Sequence, residues 1–478
     1  MIMLDQKIKE ECGVFGIYAP DKNVAEIIFY GLQALQHRGQ ESAGIAVSDR
    51  ENILIFKDLG LVSQVFNEKN LAPLQGHLGI GHTRYSTKGK NIWKNSQPLY
   101  RMFKGESFAL AHNGNLINSE QLRKQLTARG AVFETSTDTE VIASLIENSS
   151  KDNIEDAIRE TTEKIRGSYC LVILTRDKVM GIRDPFGFRP MVLGSMEGNY
   201  VLASETCALD IVGAELIREI DPGEFLIIDS NGLRSQMLLP VDRKSMCVFE
   251  LIYFARPDSY INDKNMFEVR HRMGQELAKE SPADADIVIS VPDSGTPAAI
   301  GYSAYSKIPF AEGFIKNRYI GRTFIQPSEE IREIGVRLKL NPLKDIIRGK
   351  RLVVVDDSIV RGNTSKQIVK MLYNAGAKEI NMRISSPPLL YPCYYGIDMA
   401  TKKEFIADHK TVEDIRKYLK VDSLKYLSLD GLMRAIGESE QGFCLACFDG
   451  RYPVQLPKNF KFDKNSLDTK KFVHNARL

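Results

Sequence analysis

The sequence predicts two domains in series: an α+β layered domain, then an α/β doubly wound domain built on a parallel sheet. Three observations carry this. The first half is dense in short β-branched runs (VFGIYA, AGIAV, NILIF, LGIGHTRY, FALAHNGNL, CLVIL, YVLAS, EFLIID) separated by Gly and polar turns. Amphipathic helical patterns interrupt them at 25–35, 119–129, 139–149 and 154–166. Past about residue 245 the pattern becomes strand–helix alternation, in ADIVISVPD, RLVVVDD and EINMRIS, each continuous apolar run suiting a strand buried on both faces. The tract MLLPVDRKSM (237–246) marks the boundary, closing the first domain (12–245) and opening the second (246–478).

Composition bounds the class. The chain has 478 residues, 43% hydrophobic and 26% charged, with a net charge of +3, ordinary for a globular protein and too small to argue for nucleic acid. No run approaches the roughly 18 apolar residues of a membrane span. The opening MIMLDQKIKEE has no apolar core of a secretory signal, so a cytoplasmic protein is expected. Seven cysteines, at 12, 170, 207, 247, 393, 444 and 447, do not suggest a disulfide framework in such a chain. Cys170, in an apolar run, and Cys207 read as buried thiols. Cys444 and Cys447 form a C-x-x-C, which favours metal, cluster or redox chemistry.

The most informative stretch is RLVVVDDSIVRGNTS (351–365). A buried strand ends in Asp356 and Asp357, followed by a Gly-containing turn with the hydroxyls of Thr364 and Ser365. A helix follows, with Ile368, Val369, Leu372 and Ala375 on its apolar face and Gly376 as its stop. Backbone N–H groups at such a helix start hold phosphate, and the acids can take ribose hydroxyls or Mg²⁺. A second strand, in 285–291, turns through Pro292, Asp293, Ser294, Gly295 and Thr296, small residues that let a backbone approach a diphosphate. The segment 316–342 carries four arginines and two lysines in a long Gly- and Pro-broken stretch, which suits a lid over an anion.

These two loops resemble the 5-phosphoribosyl-1-diphosphate (PRPP) site of type I phosphoribosyltransferases. The resemblance implies diphosphate at Asp293, Ser294 and Gly295, and ribose 5-phosphate at Ser358, Arg361, Gly362, Asn363, Thr364 and Ser365. It puts Mg²⁺ at or near Ser294, Asp356 and Asp357.

In the first half, EECGVFGIY, LQHRGQESAG, GIGHTRYST, LAHNGNL and TSTDTEVI together resemble the glutaminase domain of N-terminal-nucleophile amidotransferases. The resemblance makes Cys12 the nucleophile, with Asn113 and the N–H of Gly114 as the oxyanion hole. Arg84 is then the partner of the glutamine carboxylate, Asp138 that of its ammonium, and Arg38 and Gly39 form the loop beside the thiol. A free α-amino group, with a pKa of about 7.7–8.0, can serve as the base only once it is no longer an amide. Removal of 1–11 after Glu11, autocatalytically, is therefore expected.

Cys247, Cys393, Cys444 and Cys447 could bind zinc or a [4Fe–4S] cluster, or stay unliganded, since the spacing alone leaves these open. Their contexts, SMCVFELIYFARPDS, SSPPLLYPCYYGID and FCLACF, are similar to the iron–sulfur branch of the glutamine PRPP amidotransferases. That branch implies glutamine-dependent amination of PRPP, the first committed step of purine synthesis, with ammonia passed internally. It also implies a homotetramer inhibited by purine nucleotides, without nucleic acid or membrane partners. A different glutamine amidotransferase would share only the first half, and a PRPP-binding regulatory protein only the second.

Overall fold

The computed structural model describes residues 12–86, 89–239, 243–317, 340–399, 402, 405–456 and 467. The expected leader (1–11), the basic heart of the expected lid (318–339) and nearly all of the final twenty residues lie outside them.

The first half stacks two antiparallel sheets. One has seven strands, in spatial order Glu215–Glu219, Val192–Met196, Asn199–Ala203, Gly13–Tyr18, Leu78–Arg84, Ser42–Ser48 and Ile53–Leu59. The other has six: Gly232–Met237, Glu224–Asp229, Val179–Arg183, Gly167–Leu174, Glu106–Leu116 and Leu99–Phe103. Alternation decides which side chains face which layer. Val14, Ile80, Ala109, Ala111, Val172 and Leu202 meet between the sheets. Phe15, Ile17, Ile45 and Val201 point outward beneath the helices Ala25–Ala34 and Thr206–Val212. Leu110, Leu171 and Ile173 do the same beneath Ser119–Ala128, Asp138–Glu147 and Ile154–Lys164. The four helices expected from periodicity all form. The third begins one residue early, at Asp138, because the Thr137 side chain caps it by accepting from Glu140 N–H.

The second half carries a parallel four-stranded sheet in the order Ile287–Ser290, Arg351–Asp356, Glu379–Ile384, Ser423–Tyr426. Val353 and Val355 face one core and Leu352 and Val354 the other, which is the doubly wound arrangement. The fourth strand, SLKY, was not expected from the sequence; it is short, and its polar residues do not make an apolar run. The expected lid is anchored by a pair of short antiparallel strands, Phe314–Lys316 and Leu340–Pro342.

A buried ionic network joins the halves. Arg38 donates through Nη2 to Glu250 Oε1 (2.6 Å), through Nη1 to Glu250 Oε2 (3.1 Å), and also to Glu205. Arg189 donates to Glu250 Oε1 (3.3 Å) and to the Tyr395 carbonyl (2.7 Å). Ser259 Oγ–H and Arg256 N–H, from the second half, close on Glu205 Oε2 at 2.6 and 2.9 Å. Burial alone would raise the pKa of Glu205, but His37 and Arg38 outweigh it and hold the carboxyl well below its usual range. Burial likewise works against ionised Glu250, and Arg38 and Arg189 more than offset it.

A carboxylate whose pKa falls on folding stabilises the fold above its unfolded value and loses that contribution as pH drops. Acid should therefore weaken the protein below its ordinary glutamate pKa of 4.5. Glu205→Gln should cost about 3–5 kcal/mol at neutral pH, because it leaves Arg38 partly uncompensated. Urea unfolding at neutral and acid pH measures both effects, and the variant should show the shallower loss in acid.

Candidate functional site

Cys12 is buried immediately before the central strand Gly13–Tyr18. Its thiol donates to the Tyr85 carbonyl (3.4 Å), and its own carbonyl accepts from Arg38 Nε (3.3 Å). Gly39 lies against the Thr83–Arg84 peptide, where a Cβ would stand 2.5 Å from Thr83 C, so a side chain is excluded. Arg84 ends its strand beside these groups, buried, donating to Ser86 Oγ at 3.1 Å. Burial lowers its pKa against the opposing charges of Cys12, Glu41 and Asp138, which places all three around the guanidinium.

Asn113 and Gly114 lie near the end of the strand Glu106–Leu116. Asn113 is fully buried, and neither Nδ2 nor Oδ1 of its amide has a hydrogen-bond partner among the described residues. A buried amide without partners is costly, which sets Asn113 apart from its neighbours on the strand. Gly114 has φ +149°, and a Cβ there would stand 2.1 Å from the Ser168 carbonyl, so no other residue fits. Asp138 opens its helix, buried, and accepts from Leu116 N–H at 2.9 Å. Cys12, Arg84, Asn113 and Asp138 thus sit around the ends of four adjoining elements, three strands and a helix.

The second half touches this site directly. Asn115 Nδ2 donates to the Tyr394 carbonyl (2.8 Å), Tyr395 stacks on Phe188 (4.3 Å between centroids), and Tyr85 OH donates to Asp398 (3.1 Å). A Cβ on Gly396 would stand 3.5 Å from Gly114 C. The chain just after Cys393 therefore backs the strand that carries Asn113 and Gly114.

The loops that follow the strands Ile287–Ser290 and Arg351–Asp356 meet at the end of the parallel sheet. Asp356 and Asp357 are buried, and Asp357 N–H donates to Asp356 Oδ1 (3.0 Å) while Ser358 Oγ–H donates to Asp357. Gly362, at φ +77°, precedes the helix Asn363–Asn374. Asp356, Ser358, Gly362, Thr364 and Ser365 line one small cleft, with Arg361 half-buried and Asn363 exposed at its edge. In the other loop Ser294 is half-buried, and Asp293 is exposed and paired with Lys316 at the base of the expected lid. A Cβ on Gly295 would stand 2.6 Å from the Val355 carbonyl and 3.2 Å from Asp356 Cα.

The four cysteines of the second half converge. Cys247 and Cys444 are register partners on adjacent parallel strands, and the charges of Cys247, Cys444 and Cys393 all act on Cys447. Burial pushes the Cys444 thiol up to about 12. Tyr395 N–H donates to Cys393 Sγ at 3.4 Å, and the Ala446 N–H to the Cys444 sulfur. No disulfide occurs among the described residues, and the side chains as they stand form no group of three or more His, Cys, Asp or Glu arranged to hold a single metal ion. Cys170 and Cys207 are buried apart from this group.

Sequence reasoning missed Glu41, Glu205, Glu250 and Arg189. Glu250 had a signal: an acid inside the apolar run VFELIYF demands a buried partner.

A glutamine amidotransferase domain followed by a phosphoribosyltransferase domain is the class this architecture defines. Residues 82–210 match the model of the glutamine amidotransferase domain and 259–385 that of the phosphoribosyl transferase domain. The chain is 52% identical to the amidophosphoribosyltransferase of Synechocystis sp., over 97% of this chain and 94% of the relative. It is 49% identical to that of Methanocaldococcus jannaschii, over 93% and 98%. The structure of the B. subtilis glutamine PRPP amidotransferase complexed with ADP and GMP superposes with a TM-score of 0.89 at 47% identity, covering 94% of this chain and 99% of that one. The chain belongs to the amidophosphoribosyltransferase family. It is an enzyme of purine biosynthesis that aminates PRPP at the expense of glutamine.

Gly295→Ala should force the two anion loops apart. An overpacking cost of about 1–3 kcal/mol predicts a PRPP KM raised on the order of tenfold or more, with the far-ultraviolet circular dichroism unchanged.

Proposed function

We propose that Cys12, freed as the N-terminal residue by removal of 1–11, is the glutaminase nucleophile. The free α-amino group takes the thiol proton, and the thiolate attacks the amide carbon of glutamine. Asn113 Nδ2 and Gly114 N–H hold the oxygen as it gains charge, Arg84 takes the substrate carboxylate, and Asp138 its ammonium. The C–N bond breaks, ammonia leaves with the transferred proton, and water releases glutamate from the thioester. The observation that carries this reading is the buried, partnerless amide of Asn113 beside Cys12's neighbours. Arg38 and Gly39 set the loop that holds the Cys12 carbonyl.

Ammonia then passes inside the chain to the second site, its lone pair attacks C1 of PRPP, and the C1–O bond to diphosphate breaks. Ser358, Arg361, Gly362, Asn363, Thr364 and Ser365 cradle the 5-phosphate; Asp293, Ser294 and Gly295 border the diphosphate. Buried carboxylates beside a hydroxyl suit a hard cation, so Asp356, Asp357 and Ser294 would hold Mg²⁺, which neutralises the leaving diphosphate. Cys247, Cys393, Cys444 and Cys447 would hold a [4Fe–4S] cluster: four sulfurs, two of them already accepting backbone N–H bonds, are a suitable donor set. The cluster supplies a cross-link between distant segments.

Inhibition by purine nucleotides belongs to the same proposal, supported by the ADP and GMP of the B. subtilis structure. Assembly as a homotetramer in the cytoplasm completes it; among the described residues no helix is long and apolar enough to cross a membrane.

Cys12→Ala should abolish glutamine-dependent synthesis and keep the ammonia-dependent reaction; full retention of the former contradicts the mechanism. Sequencing of active enzyme should begin at Cys12, and an intact Met1 would rule out processing. Iron and acid-labile sulfide should each approach four per chain; stoichiometric zinc without sulfide would replace the cluster.

A further inference from the structure

The glutaminase contains a buried hydrogen-bond chain that none of the roles above uses. Gln97 leads into the edge strand Leu99–Phe103 and is buried. Its Oε1 accepts from His112 N–H at 2.7 Å, and its Nε2 donates to Thr139 Oγ1 at 3.0 Å. Thr139 Oγ1 in turn lies 3.3 Å from His112 Nδ1, and His112 Nε2 lies 3.5 Å from the Ser168 carbonyl. His82 Nε2 reaches the His112 carbonyl at 3.0 Å.

The donor roles follow from the partners. A carbonyl only accepts, so His112 Nε2 carries the proton directed at Ser168. In a neutral ring Nδ1 is then an acceptor, the Thr139 hydroxyl donates to it, and the hydroxyl oxygen accepts from Gln97. Burial keeps His112 neutral by lowering its pKa, though Asp138 opposes this.

Two consequences converge on glutamine. The peptide groups on either side of His112 are held, by Gln97 at N–H and His82 at C=O, and the next residue is Asn113. Thr139 follows Asp138, whose Oδ1 stands 3.8 Å from His112 Nδ1. A neutral ring that accepts from Thr139 cannot donate to that carboxylate, so its charge stays available. We infer that Thr139 is a positioning residue of the glutaminase: held by Gln97, its hydroxyl occupies His112 Nδ1 and so reserves Asp138 for the substrate's α-ammonium. This rests on the role proposed above for Asp138.

The test uses the processed full-length enzyme and compares Thr139→Val, Thr139→Ser and Asp138→Asn. Thr139→Val keeps the shape and removes the hydroxyl. It should raise the glutamine KM on the order of tenfold, leaving kcat within about twofold and ammonia-dependent synthesis unchanged. Thr139→Ser should restore the KM. With 4-carbamoylbutanoate, a glutamine analogue lacking the α-amino group, the Thr139→Val penalty should vanish. If Asp138→Asn raises the KM and Thr139→Val does not, the relay is wrong while the site stands. Equal loss of the ammonia-dependent reaction in Thr139→Val would make its role merely structural and overturn the inference. If Asp138→Asn itself leaves the KM unchanged, the Asp138 role falls and the relay falls with it.

Discussion

The structure depends on the buried pairing of Arg38 with Glu205 and Glu250. Arg38 holds the Cys12 carbonyl through Nε while its two terminal nitrogens bind an acid from each half of the chain. Neither acid is exposed. Such a network gains little over well-packed apolar residues, but breaking one member leaves a buried charge. Its consequence is geometric: the side chain that holds the Cys12 carbonyl is itself held by an acid of the second half. The segment Tyr394–Gly396 adds a second seam, against Asn115, Phe188 and Arg189.

Most of the fold was legible because its periods are clean. The apolar run VFGIYA and the helical spacing in IEDAIRETTEK survive folding nearly residue for residue. Strands such as GLRSQM and SLKY were not legible: they lie at sheet edges, carry polar residues on exposed positions, and are held by pairing rather than by an apolar signature. Within the site, Cys12, Arg84, Asn113 and Asp138 could be picked out because their local motifs are compact. Glu205, Arg189 and Gln97 could not, since each acts on residues distant in sequence and none stands in a run that marks it.

The two sites were also unequal in what sequence could convey. The anion loops are local, strand then turn then helix, so their residues arrive together. The residues proposed for glutamine come from four segments spread over residues 12–138, and their logic appears only where those elements meet. The four cysteines stand between these cases: their convergence is tertiary, but each carries its own flanking signature.

Internal transfer of ammonia between the two docked halves is open to one direct measurement. Amide-¹⁵N glutamine is supplied with PRPP and an excess of unlabelled ammonium near neutral pH. Under internal transfer the nitrogen in 5-phosphoribosylamine comes from glutamine, with little dilution by the pool. Label diluted to the composition of the surrounding ammonium would contradict it.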